Sequence, residues 1–113
     1  MTGKEVYNLA LNNLGYQDNA NIKGRILTII NRVYLDLHRL VYGNAKFKPI
    51  DSLGDTVDLP QKIIISAMSS GVAERIALGE GDGELQQYYA LDYEKQKARI
   101  NRQDKIIDVF SGG

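Results

Sequence analysis

The side chains with chemistry to offer lie in four places. Leu78–Leu85, "LGEGDGEL", sets Glu80, Asp82 and Glu84 among three glycines. His38 is the only histidine. Asp51, Asp55 and Asp58 form a second acidic group, and Lys95, Lys97, Arg99, Arg102 and Lys105 form the one basic concentration. A glycine-rich loop cradles phosphate when its amides face the anion and a lysine neutralises it. Here three carboxylates would repel phosphate, and no G-x-x-x-x-G-K-[ST] pattern occurs. A calcium loop needs Gly at its sixth position and Glu at its twelfth. Counted from Glu80 those positions are Leu85 and Leu91; counted from Asp82 they are Gln87 and Tyr93. Both registers fail, so the stretch reads as a hinge: Gly79 ends one helix and Asp82 caps the next.

One histidine cannot build a catalytic triad or a two-histidine metal site without help. His38 reads as a partly buried, hydrogen-bonded residue beside an apolar stripe. Asp51, Asp55 and Asp58 could pair for acid–base work, but turn and cap duties explain them more simply. No residue set reads as catalytic, and no cofactor or metal site is expected. The basic group could contact nucleic-acid phosphates, which would make the chain a small helical nucleic-acid-binding or regulatory protein. A solvated helix end that complements the dipole is the simpler account.

These residues must be positioned by one domain, because the chain has 113 residues. Fourteen basic residues balance fourteen acidic ones, so no global field draws the protein to nucleic acid or membrane. There is no cysteine, which excludes disulfides and thiolate metal sites and suits a reducing compartment. The start "MTGKEVYNLALNNLG" does not read as a signal peptide. A soluble, cytosolic product is expected.

Thr2 and Glu5 form a capping-box pattern, and apolar spacing after them predicts a helix over 3–14 ending at Gly15. Asn19 or Asn21 can cap a long helix over 22–42, ended by Gly43. The next stretch, "NAKFKPIDSLGDTVDLP", holds both prolines and reads as a loop with a β-like hairpin around "DSLGD". A third helix runs from Pro60 to about residue 78, with Gly71 and Ala73 small enough to admit another helix closely. A fourth runs from Asp82 to about Arg102. Tyr88, Tyr89 and Tyr93 lie on it, and adjacent rings cannot all face one narrow core, so at least one is an interface aromatic. The expected architecture is all-α: a bundle of about four helices over residues 1–105, then a flexible tail over 106–113.

The order of these features resembles the small head–tail connector (adaptor, or head-completion) proteins of tailed double-stranded DNA bacteriophages. A short helix leads into "INRVYLDL". An extended "KFKPIDSLGDTVDLP" loop follows, then "GVAERIALGEGDGE" and a "YYALDYEKQKAR" helix. The resemblance covers about residues 2–105. It implies a structural virion protein at the head–tail junction, made in the bacterial host cytoplasm. Such a protein docks as a ring, commonly of twelve copies, on the portal protein. The ring extends the channel through which DNA passes without sequence-specific binding, and offers a surface to the next connector or tail-completion protein.

The resemblance also implies roles for particular stretches. Ile106, Ile107, Val109 and Phe110 would dock on the portal or a neighbouring copy. Phe47, Lys48, Ile50 and Leu53 would make a loop contact. Apart from the resemblance, the acidic group Glu80, Asp82 and Glu84 and the basic group Lys95, Arg99 and Arg102 lie at opposite ends of one helix, so they could pair between neighbouring copies of a ring. No catalytic activity, cofactor or membrane partner is implied.

Overall fold

The computed structural model describes residues 1–111, with side chains as far as Ile100. Helix α1 (Gly3–Leu14) starts as its sequence requires. The Glu5 amide donates to Thr2 Oγ1 at 3.2 Å, and the Glu5 carboxylate accepts from the Thr2 amide at 3.0 Å. The reciprocal pair satisfies two amides that an open helix end leaves bare. Gly15 closes the helix in the left-handed conformation, φ 71°.

The long helix expected over 22–42 is broken. Asn19 caps a four-residue turn, α2 (Ala20–Lys23), by accepting from the Ile22 amide at 2.9 Å. Gly24 and Arg25 then interrupt, and α3 (Ile26–Tyr42) follows. Glycine inside a helix costs about 1 kcal/mol relative to alanine, and here the chain bends at it. Ile22 and Ile26 are both buried on either side of the break.

Residues 44–60 form a loop without strands. Its one ladder element is an isolated antiparallel bridge between Thr2 and Thr56. Around it the Val57 amide donates to Met1 O at 2.8 Å and the Gly3 amide to Asp55 O at 3.0 Å. The hairpin expected at "DSLGD" is instead a turn closed by Asp55, whose carboxylate accepts from the Asp51 and Ser52 amides at 2.9 and 3.2 Å.

From Gln61 the chain is helical without a gap to Gly79: α4 (Gln61–Ile63), a π-helical turn (Ile64–Met68) and α5 (Ser69–Gly79). Ile64, Met68, Val72 and Ile76 are all fully buried and spaced by four. On an ideal α-helix that spacing drifts roughly 40° per step. The wider π turn takes up part of the drift and keeps the four on one face. Helix α6 (Gly83–Ser111) is the longest element. It extends past the end expected near Arg102, and no glycine or proline interrupts it before Gly112. The positions assigned to the docking tail, Ile106, Ile107, Val109 and Phe110, have side chains outside the described residues.

The core is shared by α1, α3, the π turn and α5, with Ile50, Val57 and Leu59 contributed by the loop and Tyr93 and Ile100 by α6. Helix α5 packs most extensively on α6 and next on α1. The approach to α6 depends on Gly71, where a Cβ would lie 2.8 Å from Tyr93 Cε1 and 2.9 Å from Val33 Cγ1. At 29 residues α6 is about 43 Å long, which sets the 51 Å long axis of the molecule.

Candidate functional site

The acidic hinge is committed inside the chain. Gly81, at φ 76°, makes the turn between α5 and α6. Asp82 Oδ1 then accepts from the Leu85 amide at 3.2 Å, and its Oδ2 accepts from the Tyr16 hydroxyl at 2.7 Å. Burial of the ring, together with that bond, pushes the Tyr16 phenol up to about 12. Glu80 accepts from Arg25 Nη2 at 3.0 Å and from Asn21 Nδ2 at 2.9 Å. Of the three hinge acids, Glu84 is exposed with no partner among the described residues. Glu80 and Asp82 therefore staple the hinge to the turn after α1, to α2 and to the residue that precedes α3. Lys95 and Arg99 are exposed on α6, and the side chain of Arg102 lies outside the described residues.

The three tyrosines divide as helix geometry requires. Tyr93 is 8% exposed, and its hydroxyl donates to Asp36 Oδ2 at 2.6 Å. Burial first, and then that carboxylate, hold its phenol well above the ordinary range. Lys97 reaches the same Asp36 oxygen at 3.2 Å and Glu94 at 3.0 Å, with its ammonium 4.6 Å from the Tyr93 ring centre. Tyr89 is half-buried and donates to Asn13 O at 2.6 Å. Tyr88 is 63% exposed, its ring edge-on to Tyr89 at 4.9 Å. Beside it Leu91 is 72% exposed, and the two flank a shallow groove that also touches Asp92 and Lys95. Leu91 was not singled out from the sequence, although it lies two residues, about 200°, around the helix from Tyr93. Ile65, on the π turn, and Leu78 and Tyr42, at the ends of α5 and α3, are also exposed.

The loop turns most of its apolar residues inward. Phe47 packs edge-on against Tyr34 at 4.8 Å and His38 at 5.3 Å. Ile50 is buried over Gly3, and Leu53 packs against the core. Asn31 grips Ile50 from α3 with both ends of its amide, accepting from the Ile50 N–H and donating to its carbonyl, each at 2.9 Å. Of the four loop residues assigned to a contact, Lys48 is the one left fully at the surface. His38 differs from expectation in one respect. It is buried, but its Nδ1 has no hydrogen-bond partner among the described residues.

Among the described residues, no three His, Cys, Asp or Glu side chains are placed to share a metal ion. No helix among them is long and apolar enough to cross a membrane. Compared with protein-family models, with curated proteins and with solved structures, the chain finds no match in any of the three.

Proposed function

We propose that this chain is a head–tail connector of a tailed double-stranded DNA bacteriophage or prophage. It docks as a ring on the portal protein and extends the DNA channel toward the tail. It works by assembly and not by catalysis. The observation that carries the reading is the outer face of α6, where Tyr88 and Leu91 leave apolar surface uncovered one turn apart. Large side chains of this kind stabilise an assembly by roughly 1.5–3 kcal/mol each when fully buried. In a multivalent ring, individually weak contacts hold because each raises the effective concentration of the next. The order of elements supports the same reading: a short helix, a longer one, an extended loop closed by Leu59–Pro60, and two helices about a glycine hinge.

Co-sedimentation with the intact portal ring of the same genome tests this. The full chain is compared with the Tyr88→Ser/Leu91→Ser variant and with a chain cut after Asp104. Saturable binding, weakened in the double variant, is expected. Weakening in the cut chain would place a further anchor at residues 105–113. No binding by the full chain to an intact ring would refute the proposal.

A further inference from the structure

Between the second half of α3 and the loop lies a cavity of about 470 Å³. Tyr34 and His38 line it from α3, and Lys46, Lys48, Asp51 and Asp58 line it from the loop. These six residues share one property: each has a polar group unmatched among the described residues. His38 is only 5% exposed, yet its Nδ1 finds no partner. Buried polar atoms are paired in the great majority of cases, so an orphan calls for an explanation. Tyr34 is buried, and its hydroxyl oxygen accepts from the Asp58 amide at 3.0 Å, which leaves the hydroxyl proton uncommitted. The two lysines and the two aspartates surround one cavity without forming an ion pair. Asp55 lines it too, but its carboxylate is already engaged by the turn amides.

A ligand of one sign does not fit this lining. An anion alone would meet Asp51 and Asp58, and a cation alone would meet Lys46 and Lys48. We propose that the cavity binds a small zwitterion carrying one carboxylate and one ammonium group, a free amino acid being the simplest case. The carboxylate lies toward the lysines and the Tyr34 hydroxyl proton, both of which donate. The ammonium lies toward the carboxylates of Asp51 and Asp58. His38 Nδ1, unmatched among the described residues, gains a hydrogen-bonding partner from the ligand. Such a site is independent of docking on a portal.

The test is a titration of the isotope-labelled full chain, followed by the amide resonances of Lys48, Asp51 and Asp58. Glycine, glutamine and arginine are added separately, with acetate and methylammonium in parallel. The expected result is saturation by at least one amino acid with Kd on the order of 1 mM or tighter, and none by acetate or methylammonium. Lys48→Met and Asp58→Asn change exposed side chains. Each is expected to weaken the amino acid about tenfold with amide spectra otherwise unchanged. Saturation by acetate or methylammonium alone would overturn the proposal by making this a single-charge site. So would failure of all three amino acids to saturate by about 50 mM, or binding indifferent to both substitutions.

Discussion

The Tyr93 ring lies directly over Gly71, so close that a Cβ on Gly71 would stand 2.8 Å from its Cε1 and 3.0 Å from its Cδ1. This is where α5 and α6 meet. On the far side of the ring the hydroxyl is held by Asp36 of α3. One glycine and one tyrosine thus tie three helices together.

Gly71→Ala is expected to destabilise the protein by about 1–3 kcal/mol, because Val33 and Tyr93 are both core residues with no room to give. The substitution would otherwise gain about 1 kcal/mol of helix propensity, so a net loss in urea unfolding isolates the packing term. Gly79→Ala is the control. Its Cβ would meet Arg25 Nη1 at 1.8 Å, but that is the mobile end of a long side chain. Its stability should change by less than about 1 kcal/mol while the Arg25–Glu80 pair is lost.

Alkali should unfold the protein earlier than its net charge suggests. The Tyr7, Tyr16 and Tyr93 phenols are all raised above their ordinary value of 10.0, first by burial and then by Asp18, Asp82 and Asp36 respectively. A raised value means the folded state keeps a proton that the unfolded chain releases. The resulting stability is fully present below about pH 10 and is lost as pH climbs through the folded-state values. Tyrosinate absorbance should therefore rise together with loss of helical circular dichroism. Smooth titration of all seven tyrosines near pH 10 with helix content intact would contradict this.

Acid should act on different residues. Glu5 is lowered from 4.5 by its hydrogen bonds with Thr2, and Asp55 from 3.8 by the Asp51 and Ser52 amides. Asp18 is lowered from 3.8, first by the bond from Tyr7 and also by Lys23. Depressed carboxyls stabilise the fold above their ordinary values, and that contribution is lost as pH falls through the folded-state values. The melting temperature should decline below about pH 4.5, and Asp55→Asn should make that decline shallower.

Asn31→Ala should loosen the loop more than its half-exposed position implies. It strands both the N–H and the C=O of Ile50, a buried residue. An unsatisfied buried group costs about 1–3 kcal/mol. Amide exchange at Ile50 should speed up along with a loss of global stability. Unchanged exchange would mean water replaces the side chain without cost.

Much of this fold is legible in the residues. The capping box at Thr2, the left-handed Gly15, the Asn19 cap, the small Gly71 and the Asp82 cap each have a local physical cause written within a few positions. What was not legible depends on partners far along the chain. The bend at Gly24 could not be told from a tolerated helical glycine without knowing that Glu80 waits for Arg25. The loop could not be told from a hairpin, because its backbone pairs with residues 1–4 instead of with itself. Leu91 was passed over because the tyrosines drew the reading of α6, although its helical angle from Tyr93 already set it on the outer face. The unmatched nitrogen of His38 has no sequence signal, since it reflects what the loop fails to bring to it.

The π turn makes residue count a structural variable. Ser66 and Ser69 hydroxyls donate to the Lys62 and Ile65 carbonyls at 2.7 and 2.6 Å, stitching the widened segment. The run from Gln61 to Gly79 thus carries one residue more than a plain helix would need. Deleting exposed Ile65 would let the segment tighten to ordinary pitch while the helix before it and the helix after it stay in phase. Gly71 would still face Tyr93. The same deletion inside α3 or α6 would rotate everything beyond it by roughly 100°, so relatives of this protein should differ in length by one residue at the π turn and agree in phase on either side.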